Sequence, residues 1–305
     1  MSSKNILITG ASGSIGKRLT QLLLDQGYQV SHLSRNHQRS KARIYLWDIN
    51  KKQIDPHAFE GIDTIIHLAG AGIAEKPWTD ERKWEILKSR TESTKLLFEE
   101  LRNHKHAVTT FISASAIGYY GFEDNEKLYK ENDESGTDFL ANVVRQWEAE
   151  IDRIAELNIR VVKIRIGIVL DANHGALREL VKPVKYYAGA PLGTGDQYVS
   201  WIHLDDLVAI FIKALQDETM QGAYNGVAPN PVTNRDLTKA IATQLNKPLF
   251  LPAVPEFILK ILLGEMASLV LKGNKVSSEK IQQAGLKFQY ENVEQALANL
   301  LPKKI

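Results

Sequence analysis

The chain has no cysteine. Disulfides, thiolate nucleophiles and cysteine-ligated zinc are therefore excluded. Its eight histidines show no HExxH or other ligand spacing, so no metal site is expected. It also lacks a long apolar run. No window reaches the roughly 18 uncharged apolar residues of a membrane span, and the nearest, FILKILLGEMASLVL (257–271), is interrupted by Lys260 and Glu265. The N-terminus has one lysine and a short apolar run ending in glycine, without the features of a signal peptide. Nor is there an excess of one charge: the net charge is +2, with acids and bases mixed along the chain, which gives no case for a nucleic-acid partner. These absences leave a cytoplasmic protein, off the membrane, acting on a small molecule.

What is present is a rhythm. Short apolar runs at 5–10, 28–34, 42–47, 63–69, 109–115 and 160–170 alternate with helix-length segments such as 15–27 and 81–102. Strands alternating with helices predict an α/β fold, a Rossmann-like doubly wound parallel sheet covered on both faces. From about residue 171 the rhythm changes. Glycine and proline cluster at 188–195, and the later segments read as helical. The expected division is a nucleotide-binding domain over 1–170, with returning segments from about 196–230, and a smaller, mainly helical substrate-side domain over 171–305.

The stretch ITGASGSIG (8–16) sets Gly10, Gly13 and Gly16 between a predicted strand and a predicted helix. In that context the glycines permit a tight turn, backbone approach to a pyrophosphate and close helix packing. Ser12, Gly13, Ser14 and Ile15 then present backbone amides to the phosphates. The second strand ends in HLSRN, with Ser34 and Arg35 where NAD-binding chains carry an acid for the ribose 2′-hydroxyl. A hydroxyl and a guanidinium suit a 2′-phosphate instead, so NADP is the expected cofactor. Asp48, after the third strand, is placed to accept from the adenine amine or to hold a strand-end turn. Leu68, Ala69 and Gly70 end the fourth strand with residues that let backbone approach the cofactor.

Together with SASAIGYYG (113–121), DFLANVVRQWE (138–148), LAGAGIAEKPWTDERKWEILKSR (68–90) and GEMASLVLKG (264–273), these motifs resemble an atypical branch of the extended short-chain dehydrogenase/reductases. That branch belongs to the NAD(P)-dependent epimerase/dehydratase superfamily, is usually labelled "epimerase family protein", and carries a C-terminal domain of unassigned function. The resemblance covers essentially the whole chain. It implies NADP across the strand C-termini, with Ser34 and Arg35 on the 2′-phosphate and Leu68 and Ala69 on the adenosine side. Glu85, Arg90 and Val169 would complete the contacts. Relatives often dimerise, so a homodimer is possible by analogy.

In typical extended members a serine on the fifth strand is followed about 25 residues later by a tyrosine, and a lysine four further on favours its phenolate. Here Ser115 fits the serine, but the following positions are Leu140 and Val144, and none of the ten tyrosines has lysine at i+4. The usual pair is absent. Tyr119 and Tyr120, at the end of the fifth strand, are candidate proton donors. Arg165 is a candidate for a substrate anion, and Trp201 for the substrate region. Two functions remain: an oxidoreductase or epimerase on an unidentified small molecule, or a catalytically weak or inactive protein that senses NADP(H).

Overall fold

The structure is a computed structural model that describes residues 4–37, 39–122 and 126–302. In chain order, β1 (Asn5–Thr9), α1 (Ser14–Asp25), β2 (Gln29–Ser34), β3 (Arg43–Asp48), the short β4 (Gln53–Ile54) and β5 (Thr64–His67) come first. Then follow α2 (Asp80–Asn103), β6 (Thr110–Ala116), a 3-10 turn (Ile117–Tyr120), β7 (Leu128–Tyr129), α3 (Phe139–Arg153) and β8 (Arg160–Ile166). All of these strands but β7, with a later one, build an eight-stranded sheet in the order β12-β8-β6-β5-β1-β2-β3-β4, where β12 is Gly222–Gly226. Every neighbouring pair is parallel except β3 and β4.

The central strands are apolar without alternation because helices cover both faces; all four residues of β5 are buried. Helix starts are set locally. Thr79 caps α2 by accepting from the Arg82 amide, and Asp138 caps α3 by accepting from the Ala141 amide. Asp80 and Glu81 add negative charge at the positive end of α2.

One run read as a single strand is two. Residues 160–170 divide at Gly167 into β8 and β9 (Ile168–Leu170). A side chain at Gly167 would lie 2.4 Å from the Ser200 carbonyl oxygen, so only glycine lets the chains cross this closely. Beyond it β9 leaves the main sheet and pairs with β11 (Trp201–His203), which follows α4 (Gly175–Lys185) and β10 (Tyr198–Val199).

From here the chain returns to the sheet. Helix α5 (Leu204–Gln216) buries Leu207, Ile210 and Phe211 in the large core, and β12 extends the sheet edge. A second, separate core gathers Leu177, Val181 and Trp201 with residues of α6 (Asn234–Gln244), which follows β13 (Val232–Thr233). The remaining elements are α7 (Glu256–Leu263), α8 (Ser268–Leu271), β14 (Lys275–Val276), α9 (Glu279–Gln283) and α10 (Val293–Leu300). Helix α10 closes the second core through Ala296 and Leu297, whereas Ile281 of α9 packs into the first. β14 pairs with β7, tying the C-terminal segment to the sheet side of the molecule. No helix of the described residues is long and apolar enough to cross a membrane.

Candidate functional site

β1 lies between β5 and β2, so the connections from the two halves of the sheet diverge at its C-terminal end. That is where a parallel sheet opens a crevice. Gly10 sits at this point with φ +67°, and a Cβ there would lie 2.7 Å from the Leu68 carbonyl carbon. Any side chain would push the loops apart and lift the turn. No side chain caps α1, whose N-cap is Gly13, so its first amides face the crevice free for an anion.

A buried network fixes Leu68 and Ala69 beside this turn. The Thr9 hydroxyl oxygen accepts from the amides of Leu68 (3.1 Å) and Ala69 (3.2 Å), and the hydroxyl donates to His67 Nδ1 (2.7 Å). Ser93 and Thr94 give their protons to helix carbonyls, so their oxygens accept from His67 Nε2 at 3.3 and 3.2 Å. The network thus assigns the neutral Nε2–H tautomer. Burial pushes His67 down to about 3, which keeps it neutral.

Further along, Ser34 ends β2 half-buried and Arg35 is exposed. The exposed Glu85 accepts from Arg82 Nη1 at 2.6 Å, a bond that holds its carboxyl below the usual range. Arg82 is buried and also reaches the Gly72 carbonyl and Glu75, pinning the loop that leads into α2. Arg90 donates to the Ile86 carbonyl (2.9 Å) and lies 5.4 Å over the Trp147 ring. Its guanidinium occupies the space that Gly70 leaves empty, and burial pushes it down to about 10. Neither Arg35 nor Arg90 forms an ion pair with a described residue. Asp48 takes the turn reading: its Oδ1 accepts from the amides of Asn50 and Lys51 at 3.0 and 3.1 Å. Val169 stands half-buried in β9.

At the end of β6, Ser115 is buried and donates to Glu148 Oε1 at 2.6 Å. Glu148 takes Arg165 in a two-point grip, Nε to Oε1 at 2.8 Å and Nη2 to Oε2 at 2.9 Å. Against the desolvation that opposes ionisation, the Arg165 bonds and the charges of Arg165 and Lys163 hold the Glu148 carboxyl below the usual range. Lys163 stands 3.4 Å from Glu148 Oε2 and bonds Asp152 at 2.7 Å, a side chain more than half exposed. Positions 140, 144, 148 and 152 follow one i, i+4 line of α3. Leu140 and Val144 occupy its upper half and pack over Gly118, where a Cβ would meet them at 3.5 and 3.8 Å. The carboxylates Glu148 and Asp152 occupy its lower half.

Three expectations are corrected by this geometry. Arg165 is not free for a substrate anion: it is buried, spent on Glu148, and gives Nη1 to the Tyr120 hydroxyl and the Glu131 carbonyl, each at 3.1 Å. Tyr120 does not face a ligand: only 1% exposed, it donates to Asn225 Oδ1 at 2.6 Å, and burial pushes it up to about 12. Trp201 lies wholly within the second core and donates its indole N–H to the Asn230 carbonyl at 2.9 Å. Tyr119 differs. It is half-buried, its ring lies 3.5 Å from the Arg165 guanidinium carbon, and its hydroxyl has no partner among the described residues. The sequence reading missed the role of Glu148, although a signal existed: acids at i and i+4 on α3 face bases at i and i+2 on β8.

Residues 6–142 match the family model described as NAD dependent epimerase/dehydratase family, and residues 254–300 match a domain of unknown function. The chain is 36% identical to the chloroplastic "Epimerase family protein SDR39U1 homolog" of Arabidopsis thaliana, covering 98% of this chain and 87% of that one. It is 35% identical to "Epimerase family protein YfhF" of Bacillus subtilis (strain 168), covering 97% and 98%. The crystal structure of human epimerase family protein SDR39U1 (isoform 2) with NADPH superposes with a TM-score of 0.87 at 28% identity, over 97% of this chain and 99% of that one.

Proposed function

Because the chain belongs to the epimerase family proteins of the NAD-dependent epimerase/dehydratase family, we propose that it is an NADP(H)-dependent oxidoreductase acting on a small molecule. The observation that carries this reading is the buried Ser115–Glu148–Arg165 cluster beneath the crevice. Burying an ion pair is costly, and replacing one with apolar side chains of similar volume is often neutral or stabilising. Cofactor storage alone has no use for it.

The crevice residues fit a dinucleotide. The Gly10 cradle and the uncapped start of α1 suit a pyrophosphate, and Arg35 and Arg90 are cations that form no ion pair among the described residues. Ser34 and Arg35 favour the 2′-phosphate of NADP, in line with the NADPH named for the human relative. When bound, the nicotinamide supplies hydride chemistry.

The chain's own residues handle the proton. Because the Ser115 proton is committed to Glu148, Ser115 Oγ presents lone pairs and accepts from a substrate hydroxyl. Tyr119, with an unpartnered hydroxyl, donates to the substrate oxygen. Lys163 and the exposed Asp152 connect Glu148 to solvent. The carboxylate that orients Ser115 thus sits one turn down α3 from Val144 and two from Leu140.

The second reading, a protein that binds NADP(H) without turnover, is supported by Leu140 and Val144, which leave no ionisable group at those two positions. NADPH fluorescence titration followed by oxidation assays over a panel of carbonyl compounds separates the two. Turnover that falls in Tyr119→Phe while the variant stays folded supports the enzyme. Tight NADPH binding with no oxidation across the panel selects the binding protein.

A further inference from the structure

We propose that the substrate is a neutral carbonyl or alcohol compound with an apolar body, rather than a phosphate- or carboxylate-bearing one. This rests on the oxidoreductase reading and specifies its substrate class.

The first observation is charge matching. Four cations on the elements around Ser115 and Phe139 already have carboxylates: Arg165 has Glu148, Lys163 has Asp152, Lys83 has Glu265, and Lys275 has Glu126. Lys280, close enough to feel Arg165 and Lys163, has none among the described residues and is turned to the Ala223 carbonyl and the Tyr224 ring. An anionic substrate would have to strip a partner from one of them, and at Arg165 that would strand a buried carboxylate. The two arginines with no ion pair among the described residues, Arg35 and Arg90, are those assigned above to the cofactor.

The second observation is the wall. Trp78 packs edge-on against Phe139 at 5.1 Å, directly before Leu140, and the Lys83 amino group lies 5.6 Å over the Phe139 ring. Through its pair with Glu265, Lys83 binds the turn Gly264–Ala267 to the same wall. That turn belongs to the most apolar stretch of the chain, 257–271, of which only Leu259 and Ala267 are buried. Phe257, Ile261 and Leu262 are 63%, 77% and 72% exposed. An apolar wall at Trp78 and Phe139, with an apolar segment tied to it through Lys83 and Glu265, suits a ligand with an alkyl or aryl body more than a polar one. In the reducing direction the carbonyl carbon gains hydride from NADPH and its oxygen gains a proton, giving the alcohol and NADP⁺.

The test uses the full chain and straight-chain aldehydes from butanal to decanal, each beside its ω-carboxylated analogue. Binding is read by tryptophan quenching with and without NADPH, with Trp78→Phe used to assign the signal, and turnover by NADPH oxidation. Affinity for the neutral series should rise about threefold to fourfold per methylene until the wall is filled. The carboxylated analogue of octanal should bind at least about tenfold more weakly than octanal. Phe139→Asn should flatten the series and leave NADPH affinity unchanged. A flat neutral series, preference for the carboxylates, or binding of neither series would overturn the proposal. Failure of the protein to bind NADPH, with the aldehyde series intact, would strike the cofactor reading alone.

Discussion

Ser115 gives its hydroxyl proton to Glu148 across 2.6 Å, and the same carboxylate grips Arg165 at two points. The pair fixes the direction of the hydrogen bond at the crevice floor. With its proton committed to Glu148, Ser115 has only lone pairs left to offer, and Arg165 is spent on the same carboxylate.

Glu148→Gln should destabilise the fold by about 3–5 kcal/mol, because the amide leaves a buried guanidinium without a counter-charge. Denaturant unfolding at neutral pH measures this. A loss below about 1 kcal/mol would mean that Arg165 finds another partner or water.

Arg35→Ala should weaken NADPH binding about tenfold to a hundredfold, the value of a charged hydrogen bond to phosphate, and leave NADH binding unchanged. Fluorescence titrations with both cofactors check it. Equal losses for the two would remove the 2′-phosphate assignment.

The neighbouring tyrosines should separate. Tyr120→Phe leaves Asn225 Oδ1 without its donor and Arg165 Nη1 short of an acceptor, which should cost about 1–3 kcal/mol of stability. Tyr119→Phe removes a hydroxyl with no partner among the described residues, so stability should stay within about 0.5 kcal/mol while any turnover drops. Thermal melts and NADPH oxidation, run side by side, give both readings.

Acid should unfold the protein through its buried histidines. His67 is held at about 3 by burial, and His32 and His203 are also lowered by burial. An unfolded histidine titrates near 6.5, so below that pH the unfolded chain binds protons that the folded His67 refuses. Stability from His67 is therefore complete above about pH 6.5 and falls by about 1.4 kcal/mol per pH unit as the pH drops toward 3. Urea midpoints from neutral to about pH 4 report the slope. His67→Gln should flatten its share, and an unchanged slope would count against this assignment.

The α/β fold was legible because its signals are local: apolar strand runs, cap residues and the Gly10 turn each act within a few residues of chain. The division of 160–170 at Gly167 escaped, since its cause is the Ser200 carbonyl, far away in sequence, and so did the short strands after it, including β12 at the sheet edge. The crevice was less legible. Arg165 and Tyr120 have the right chemistry and lie at the right ends of strands, but Glu148 and Asn225 had already claimed their polar atoms. Trp201 stands in a motif suggestive of the substrate region, yet it closes a core whose other half comes from α6 and α10.

The sequence by itself determined the sheet, the dinucleotide turn and the loss of tyrosine and lysine at positions 140 and 144, because each is a property of residues close together along the chain. The tertiary structure decided which polar groups stay free. Hydrogen bonds and ion pairs form between β6, α3, β8 and β12, and each carboxylate or guanidinium is spent on whichever partner the packing brings within about 3 Å. Spacing along the chain does not record those meetings, so Ser115 as an acceptor, Arg165 as a structural cation and Tyr119 as the open hydroxyl emerge only once the helices lie on the sheet.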